Sequence, residues 1–413
     1  MIDPKKASEL IRRHTPKPVS QRTPLARCLG RVLAEDVTAP FAMPIADNSA
    51  MDGFVIRTQD AARASAAAPV TLQITGAIRA GDTRRTWLRA GTAARIMTGA
   101  LIPSGGGAVI PKEDAVINGH SLVITAPARD GRHIRRRGEE IPKDARLLKK
   151  GMTLQPAAIG VLASCGFPGV RVYASPRVAV LATGTELVTP GIKLKYGQIY
   201  DSNSWMMRAA LRQMGIDGSK VMKIPDDAAR MRQAVRSALA SSEILLLLGG
   251  VSVGDYDLVK DALTREGVQT IFWKVSQKPG KPLFFGRKGK KLVFGLPGNP
   301  AAVFTCFYEY VYPALRRFMG AGHAGLEQIT VRVKGPVPSD PHKQYFLKAQ
   351  LIPSNAKDAD VSGGCREAQV AGRQGSHMIS SLADADGFLI VPPGGPAQKG
   401  VYQMDLLPHD GRR

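Results

Sequence analysis

Ala7, Leu10 and Ile11 recur at helical spacing near the start of the chain, so the pattern predicts a short amphipathic helix from Lys5 to about Arg13. A second helical piece is expected around Leu25 to Leu33. Near Pro40 the character changes. From Ile45 to about Ala126 the apolar residues come in short alternating runs (VTLQIT, AARIMTG, AVIPKED, SLVITA) separated by Gly and Pro, which predicts a small β domain. Gln155 to Gly166 returns to helical spacing and stops at a glycine.

From Pro176 strand and helix alternate. PRVAVLATG, EILLLLGGVSVG and KLVFGLPGNP read as strands that run into glycine loops. SNSWMMRAALRQMG reads as a helix with Ser202 or Asn203 as N-cap and Gly215 as its stop. DAARMRQAVRSALASS and LVKDALTREG follow as helices, and AAVFTCFYEYVYPALRRF as one long helix. The alternation predicts a three-layer α/β domain with a mostly parallel sheet. Beyond about Gly322 the runs ITVRVKG, YFLKAQLI, GFLIVPP and VYQMDLL predict a C-terminal β domain.

Composition narrows the class. At roughly 150 residues per domain, 413 residues make two to four domains. A hydrophobic fraction of 44% and a mean hydropathy of −0.09 exclude wholesale disorder. Lys+Arg of 57 against Asp+Glu of 34 leaves a net charge of +23, which favours anionic partners without choosing among metabolites, oxyanions, nucleic acid and membrane surface. No apolar run approaches the ~18 residues of a spanning helix. The start, MIDPKKASEL, lacks the apolar core of a signal peptide. Cys28, Cys165, Cys306 and Cys365 are far apart and match no CxxC spacing. A zinc site or disulfide framework is therefore not expected, and reduced thiols in a cytoplasmic protein are. The histidines include no HxxxH pair, so metal chemistry should rest on oxygen ligands.

Three strand-to-loop transitions carry candidate chemistry: TGTEL at 183–187, GGVSVGDYD at 249–257 and GLPGNPA at 295–301. In open α/β sheets ligands bind beyond the carboxyl ends of the strands, and glycines let backbone N–H groups approach them. Three such loops point to a pterin, nucleotide or phosphate pocket; tight turns alone are the plainer alternative. Glu186, Asp226, Asp227, Asp255 and Asp257 cluster at these edges and suit Mg²⁺, which takes one or two carboxylates plus substrate phosphates. Helix capping is the competing explanation for Asp226 and Asp227. GVSVG at 250–254 matches a nucleophile elbow centred on Ser252. A hydrolase also needs an acid and a His, and His323, His342, His377 and His409 all lie beyond the α/β domain. KPGKP at 278–282 sets Lys278 and Lys281 around a turn suited to phosphate. DNSAMDGF at 47–54 favours Asx-type turns and offers oxygens to a metal. RHIRRRGEE presents Arg132, Arg135, Arg136 and Arg137 to phosphate or carboxylate. Nucleic acid is the rival partner, but no aromatics interleave and no nucleic-acid module signature is present.

DNSAMDGF, RIMTGA (95–100), IRRRGEE (134–140), ATGTEL (182–187), GQIYDSN (197–203), GGVSVGDYD, KPGKP, GLPGNP and GRQGSH (372–377) together resemble the MoeA family of molybdopterin molybdenumtransferases, in order. The gephyrin E domain is similar. The resemblance implies Mg²⁺-assisted insertion of molybdenum from molybdate into adenylylated molybdopterin, with release of AMP. It implies a cytoplasmic homodimer of four-domain subunits with the active site between the α/β domain of one subunit and the inserted β domain of the other. The expected division is a helical linker domain (1–45 and 141–174), an inserted β domain (46–140), an α/β molybdopterin-binding domain (175–322) and a C-terminal β-barrel-like domain (323–413).

Carried over by motif, the resemblance implies Asp52 and Thr98 as catalytic residues from the inserted domain, and Glu186, Asp226 and Asp257 as catalytic and metal-binding residues from the α/β domain. Arg135, Glu140, Ser252, Lys274, Lys278, Lys281, Pro297 and Pro300 would bind substrate or shape its pocket, which leaves Ser252 a loop residue and not a nucleophile. The chain departs from the family in three places. Glu140 stands where the family carries Asp, GGGAV at 105–109 replaces GADAV, and the charge is unusually basic. The expected partners are a molybdopterin adenylyltransferase or molybdoenzymes, without nucleic acid or membrane. Two alternatives are a molybdopterin adenylyltransferase, which resembles the α/β domain alone, and a non-enzymatic pterin-binding scaffold. DNSAMDGF and the C-terminal β domain argue against the first, and the joint presence of Asp52, Glu186 and Asp257 against the second.

Overall fold

A computed structural model describes residues 1–250, 258–353 and 366–408. Ser252, Asp255, Asp257, Cys365 and His409 lie outside the described residues. The chain divides into two compact units, one of residues 36–150 with 160–168, the other of 1–35, 151–159 and 169–413.

The smaller unit is built on a sheet of β1 (Gly53–Ile56), β2 (Val70–Ile78), β3 (Thr92–Ile96), β4 (Ala108–Pro111), β5 (Val116–Asn118) and β6 (Ser121–Ile124). Their order is β4-β1-β3-β2-β6-β5. Only β2 and β3 run parallel; the other neighbours are antiparallel. Phe54 and Ile56 face one apolar cluster and Val55 the other, so β1 is buried on both sides. Gly53 opens that strand where a Cβ would collide with the Ile110 carbonyl, so no larger residue fits this register. Two short antiparallel ladders flank the sheet: Val37–Thr38 with Arg146–Leu148, and Asn48–Ser49 with Ile134–Arg135.

The larger unit begins with α1 (Pro4–His14). Asp3 caps it by accepting from the Lys6 amide at 3.0 Å, and Pro4 occupies the first turn, where a missing N–H costs nothing. The α/β sheet comprises β7 (Val178–Thr183), β8 (Lys220–Ile224), β9 (Ile244–Leu248), β10 (Gln269–Trp273), β12 (Phe284–Lys288) and β13 (Lys291–Leu296); the two-residue β11 (Gln277–Lys278) lies between β10 and β12 in sequence. The order is β8-β7-β9-β13-β12-β10, parallel from β8 to β13 and antiparallel beyond. Along β7, Val178, Val180 and Ala182 enter one core cluster and Ala179 and Leu181 the other. Both faces are thus covered, which is why the central strands read as unbroken apolar runs. The covering helices include α2 (Ser202–Gln213), α3 (Ala228–Ser241), α4 (Leu258–Arg265), α5 (Pro300–Cys306) and α6 (Tyr312–Phe318).

A further sheet is made of β14 (Glu327–Val333), β15 (Gln344–Leu351), β16 (Arg366–Val370), β17 (Gly387–Val391) and β18 (Val401–Leu406). They pair in the order β15-β16-β14-β18-β17, and β17 pairs back onto β15, closing a five-stranded barrel. The short β11 adds in parallel to β15 through Gln277↔Gln344 and Lys278↔Tyr345.

Three local expectations need correction. The segment 25–33 is not a helix: only Leu25–Arg27 makes a 3₁₀ turn. Gly30 takes a positive φ of 73°, and the Gly30 and Leu33 amides donate to Leu154 and Met152 carbonyls instead of to a helix ladder. The N-cap of α2 is Asp201, which accepts from the Ser204 amide at 3.0 Å, and not Ser202 or Asn203. The expected long helix is divided, with a π-helical turn over Phe307–Val311 between α5 and α6. Pro313 supplies the reason, since it lacks an amide donor and crowds the carbonyl four residues earlier, and the wider turn relieves both.

Candidate functional site

In the smaller unit, the candidate residues are set by the turn between Asn48–Ser49 and β1. Ser49 is fully buried and pins this turn by donating its hydroxyl to the Met51 carbonyl at 2.6 Å. Its backbone pairs with the 97–100 turn through Ser49 N to Ala100 O (2.9 Å) and Gly99 N to Ser49 O (2.8 Å). This clamp brings Asp52 and Thr98 together. Asp52 Oδ1 accepts from the Thr98 amide at 2.7 Å and from its hydroxyl at 2.8 Å. These two donors hold the exposed Asp52 carboxyl below the usual carboxylate range, with Lys112 and Arg95 adding to the effect. Asp52 is therefore a pre-oriented anion at neutral pH.

The arginine run divides by role. Arg136 donates to Asp47 Oδ2 at 2.7 Å and reaches Asp130 at 3.4 Å, while Arg132 pairs with Asp114 at 3.0 Å. The Arg137 amide and the Arg136 guanidinium hold Asp47 below its ordinary range. Asp47 of DNSAMDGF is thus a structural clamp on the arginine turn. Arg135 sits opposite Asn48 in the short ladder, is exposed, and makes no ion pair among the described residues. Glu140 is exposed, with its amide bound to the Met43 carbonyl at 3.1 Å.

In the larger unit, the loops gather where the parallel strands end. Thr185, after β7, donates its amide and hydroxyl to Asp226 Oδ2 at 3.3 and 3.4 Å. Glu186 is the next residue, and a Cβ on Gly184 (φ 143°) would lie 2.7 Å from both of its carboxylate oxygens. Glu186 and Asp226, both exposed, therefore sit on neighbouring loops tied by one residue. Asp227 is spent differently: it caps α3 by accepting from the Arg230 amide at 2.7 Å. The tertiary structure thus assigns capping to Asp227 and leaves Asp226 to bind the Thr185 loop.

The other loops meet beside them. The Gly249 amide donates to the Leu296 carbonyl at 3.1 Å, and Asn203 Nδ2 donates to the Gly298 carbonyl at 2.7 Å. Asn299 Nδ2 donates to Ser376 Oγ at 2.9 Å and the Ala301 amide to the Ser376 carbonyl at 3.0 Å. The GRQGSH segment of the barrel is thereby joined to the GLPGNP loop. Pro297 is buried beneath it, and Pro300 begins α5. Asn203, Asn299 and Ser376 were not singled out as site residues from the sequence; their presence inside GQIYDSN, GLPGNP and GRQGSH was the available signal.

The lysines form a second group. Lys274 has a left-handed backbone (φ 73°), unusual for a side chain that long, and its Nζ lies 4.7 Å from the centroid of Trp273. Lys278 lies over Tyr345 at 5.3 Å, and both Lys278 and Lys281 are exposed. No hydrogen bond or ion pair joins this turn to Glu186 or Asp226 among the described residues.

Mg²⁺ is the resident cation that the resemblance implies. No group of three His, Cys, Asp or Glu side chains is assembled among the described residues. Two exposed carboxylates, Glu186 with room beside it only for a glycine and Asp226 held by Thr185, nonetheless fit an octahedral cation that keeps waters and takes its remaining oxygens from phosphate.

Successive stretches of the chain match the MoeA N-terminal region (domain I and II) over residues 2–166, a probable molybdopterin binding domain over 179–317 and the MoeA C-terminal region (domain IV) over 330–401. Molybdopterin molybdenumtransferase 2 of Mycobacterium tuberculosis is 35% identical over 378 residues, which cover 89% of this chain and 90% of that one. Molybdopterin molybdenumtransferase of a Nostoc species is 34% identical over 373 residues, covering 88% and 83%. The crystal structure of a molybdopterin biosynthesis moeA protein from Pyrococcus horikoshii superposes with a TM-score of 0.77 at 30% identity, covering 98% of this chain and 99% of that one. The chain therefore belongs to the MoeA family, the molybdopterin molybdenumtransferases.

Proposed function

We propose that this protein is the enzyme of molybdenum cofactor biosynthesis that transfers molybdenum from molybdate to adenylylated molybdopterin, releasing AMP. The loops after β7, β8 and β13 would receive the pterin phosphate, with Pro297 and Pro300 shaping the floor. Glu186 and Asp226, with Asp257, would hold Mg²⁺, which when bound neutralises the pyrophosphate oxygens. Lys274, Lys278, Lys281 and Arg135 would collect the phosphate and molybdate charges. Ser252 would contribute a hydrogen bond from its loop. Asp52, kept ionised by Thr98, would accept a hydrogen bond from the attacking water and so orient it, and Glu140 would line the substrate. Water would cleave the phosphoanhydride into AMP and the pterin phosphate, and the two dithiolene thiols would bind the molybdenum of molybdate, their protons leaving with one displaced oxo group as water.

The four-domain division drawn from the motifs, a cytoplasmic location and a homodimer that completes each site belong to the same proposal. So does receipt of substrate from a molybdopterin adenylyltransferase and delivery to molybdoenzymes. The observation that supports the reading is the Thr185–Asp226 link, which ties the loop carrying Glu186 to the loop carrying Asp226 after adjacent parallel strands. The test is AMP release from adenylylated molybdopterin by the purified protein with Mg²⁺, with and without molybdate. Molybdate-dependent release with pterin-bound molybdenum is expected. Tight pterin binding without any release would replace the enzyme with a scaffold.

A further inference from the structure

We propose that Gln277 is a positioning residue for the substrate-binding turn, a buried amide that sets Lys278 and Lys281 for an anion through the backbone between them. The inference rests on the reading above that these lysines hold the phosphate or molybdate. Strand alternation in β11 turns Gln277 inward, where it is 1% exposed, and Lys278 outward. Inside, the amide is used at both ends. Its Nε2 donates to the Pro279 carbonyl at 3.1 Å and to the Gly280 carbonyl at 3.4 Å. Its Oε1 accepts the hydroxyl of Tyr310, itself 1% exposed and held in the π-helical turn. Two carbonyls on one side and a hydroxyl on the other leave the amide a single consistent orientation.

The turn is tight against this anchor. Gly280 has φ 91°, and a Cβ there would collide with Cys306 Sγ and come within 2.7 Å of Gln277 Nε2. Cys306 donates to the Gly280 carbonyl at 3.8 Å, and burial pushes its thiol well up, so it remains a donor. The Val275 amide closes the turn on the Lys281 carbonyl at 2.9 Å. Lys278 and Lys281 repel one another until an anion arrives. The turn itself offers only a half-buried proline and a glycine against that repulsion. Gln277 supplies the resistance from below, so the charges are placed before substrate binds and no ordering cost falls on the complex.

The test compares Gln277→Met, Tyr310→Phe and Lys278→Ala/Lys281→Ala in the full chain, with steady-state kinetics for adenylylated molybdopterin at saturating molybdate. Gln277→Met should raise KM about tenfold with kcat within about twofold, the signature of lost binding that ground and transition states share. Tyr310→Phe should move KM in the same direction by about threefold, because it frees the amide without removing it. In the Lys278→Ala/Lys281→Ala background both substitutions should change KM by less than about twofold, since a positioning effect vanishes with what it positions. Equal effects in both backgrounds, or wild-type kinetics for Gln277→Met and Tyr310→Phe in the native background, would overturn the proposal. Should Gln277→Met not fold, the Tyr310→Phe cycle decides alone. Wild-type KM in Lys278→Ala/Lys281→Ala itself would instead remove the lysines from the site, a failure of the functional reading that is visible separately.

Discussion

Glu309 lies in the π-helical turn and shares a cavity of about 410 Å³ with Arg12 of α1, Arg317 of α6, His323 and Asp405 of β18. Burial first, and the neighbouring Asp405 second, push the Glu309 carboxyl well above its ordinary value. Burial raises Asp405 as well, although Gln328 steadies it with a 2.9 Å hydrogen bond. The folded Glu309 carboxyl therefore holds its proton to higher pH than the unfolded one does, with Asp405 as its nearest carboxylate. The unfolded chain loses that proton near pH 4.3. Above this value the native state binds one more proton than the unfolded state, so stability falls as pH rises, by about 1.4 kcal/mol per pH unit until the folded group titrates. Glu309→Gln removes this term, because its amide can donate to Asp405 without a proton equilibrium. The variant should therefore gain on the wild type as pH rises from 5.5 to 8.5. The assay is urea unfolding at fixed protein concentration across that range, followed by fluorescence of Trp205 and Trp273 in the same unit. Parallel stability curves, or a variant that loses ground at high pH, would mean that Glu309 is ionised in the fold and would refute the argument.

Two further tests address the site directly. Thr98→Ala removes the hydroxyl donor that helps depress the Asp52 carboxyl, so the acid limb of the pH–rate profile should move to higher pH; an unmoved limb would detach Asp52 from turnover. The same depression stabilises the fold above the ordinary carboxylate range and is lost as pH falls through the folded value, so Thr98→Ala should also unfold at higher pH on acidification. Asp227→Ala should cost about 1 kcal/mol through the lost cap of α3 while leaving AMP release intact, whereas Asp226→Ala should abolish release with little change in melting temperature. The reverse outcome would exchange the two roles.

The apolar patterning was informative wherever one environment governs a whole element. Alternating runs marked β2, β3 and β6, and unbroken apolar runs marked β7 and β9, because a strand's burial is visible in its own residues. It failed at β10 and β12, which the sequence analysis did not assign. Their residues alternate less cleanly, and their strand state depends on antiparallel partners at the sheet's edge. It failed also at 25–33, where helical spacing lost to hydrogen bonds with the sequence-distant segment 152–154.

The candidate site divides in the same way. Motif order by itself determined the family, the chemistry of the residues and the loops they occupy, since these are properties of residue type and spacing. Only the tertiary structure decided which of two adjacent aspartates caps a helix, which arginines of one run are spent on Asp47, Asp114 and Asp130, and that a glutamine lies beneath the lysine turn. For Asp226, Arg136 and Gln277 the deciding partners, Thr185, Asp47 and Tyr310, are distant in sequence. A hydrogen bond is satisfied by whichever group the fold delivers, and nothing local to Asp226, Arg136 or Gln277 specifies that group.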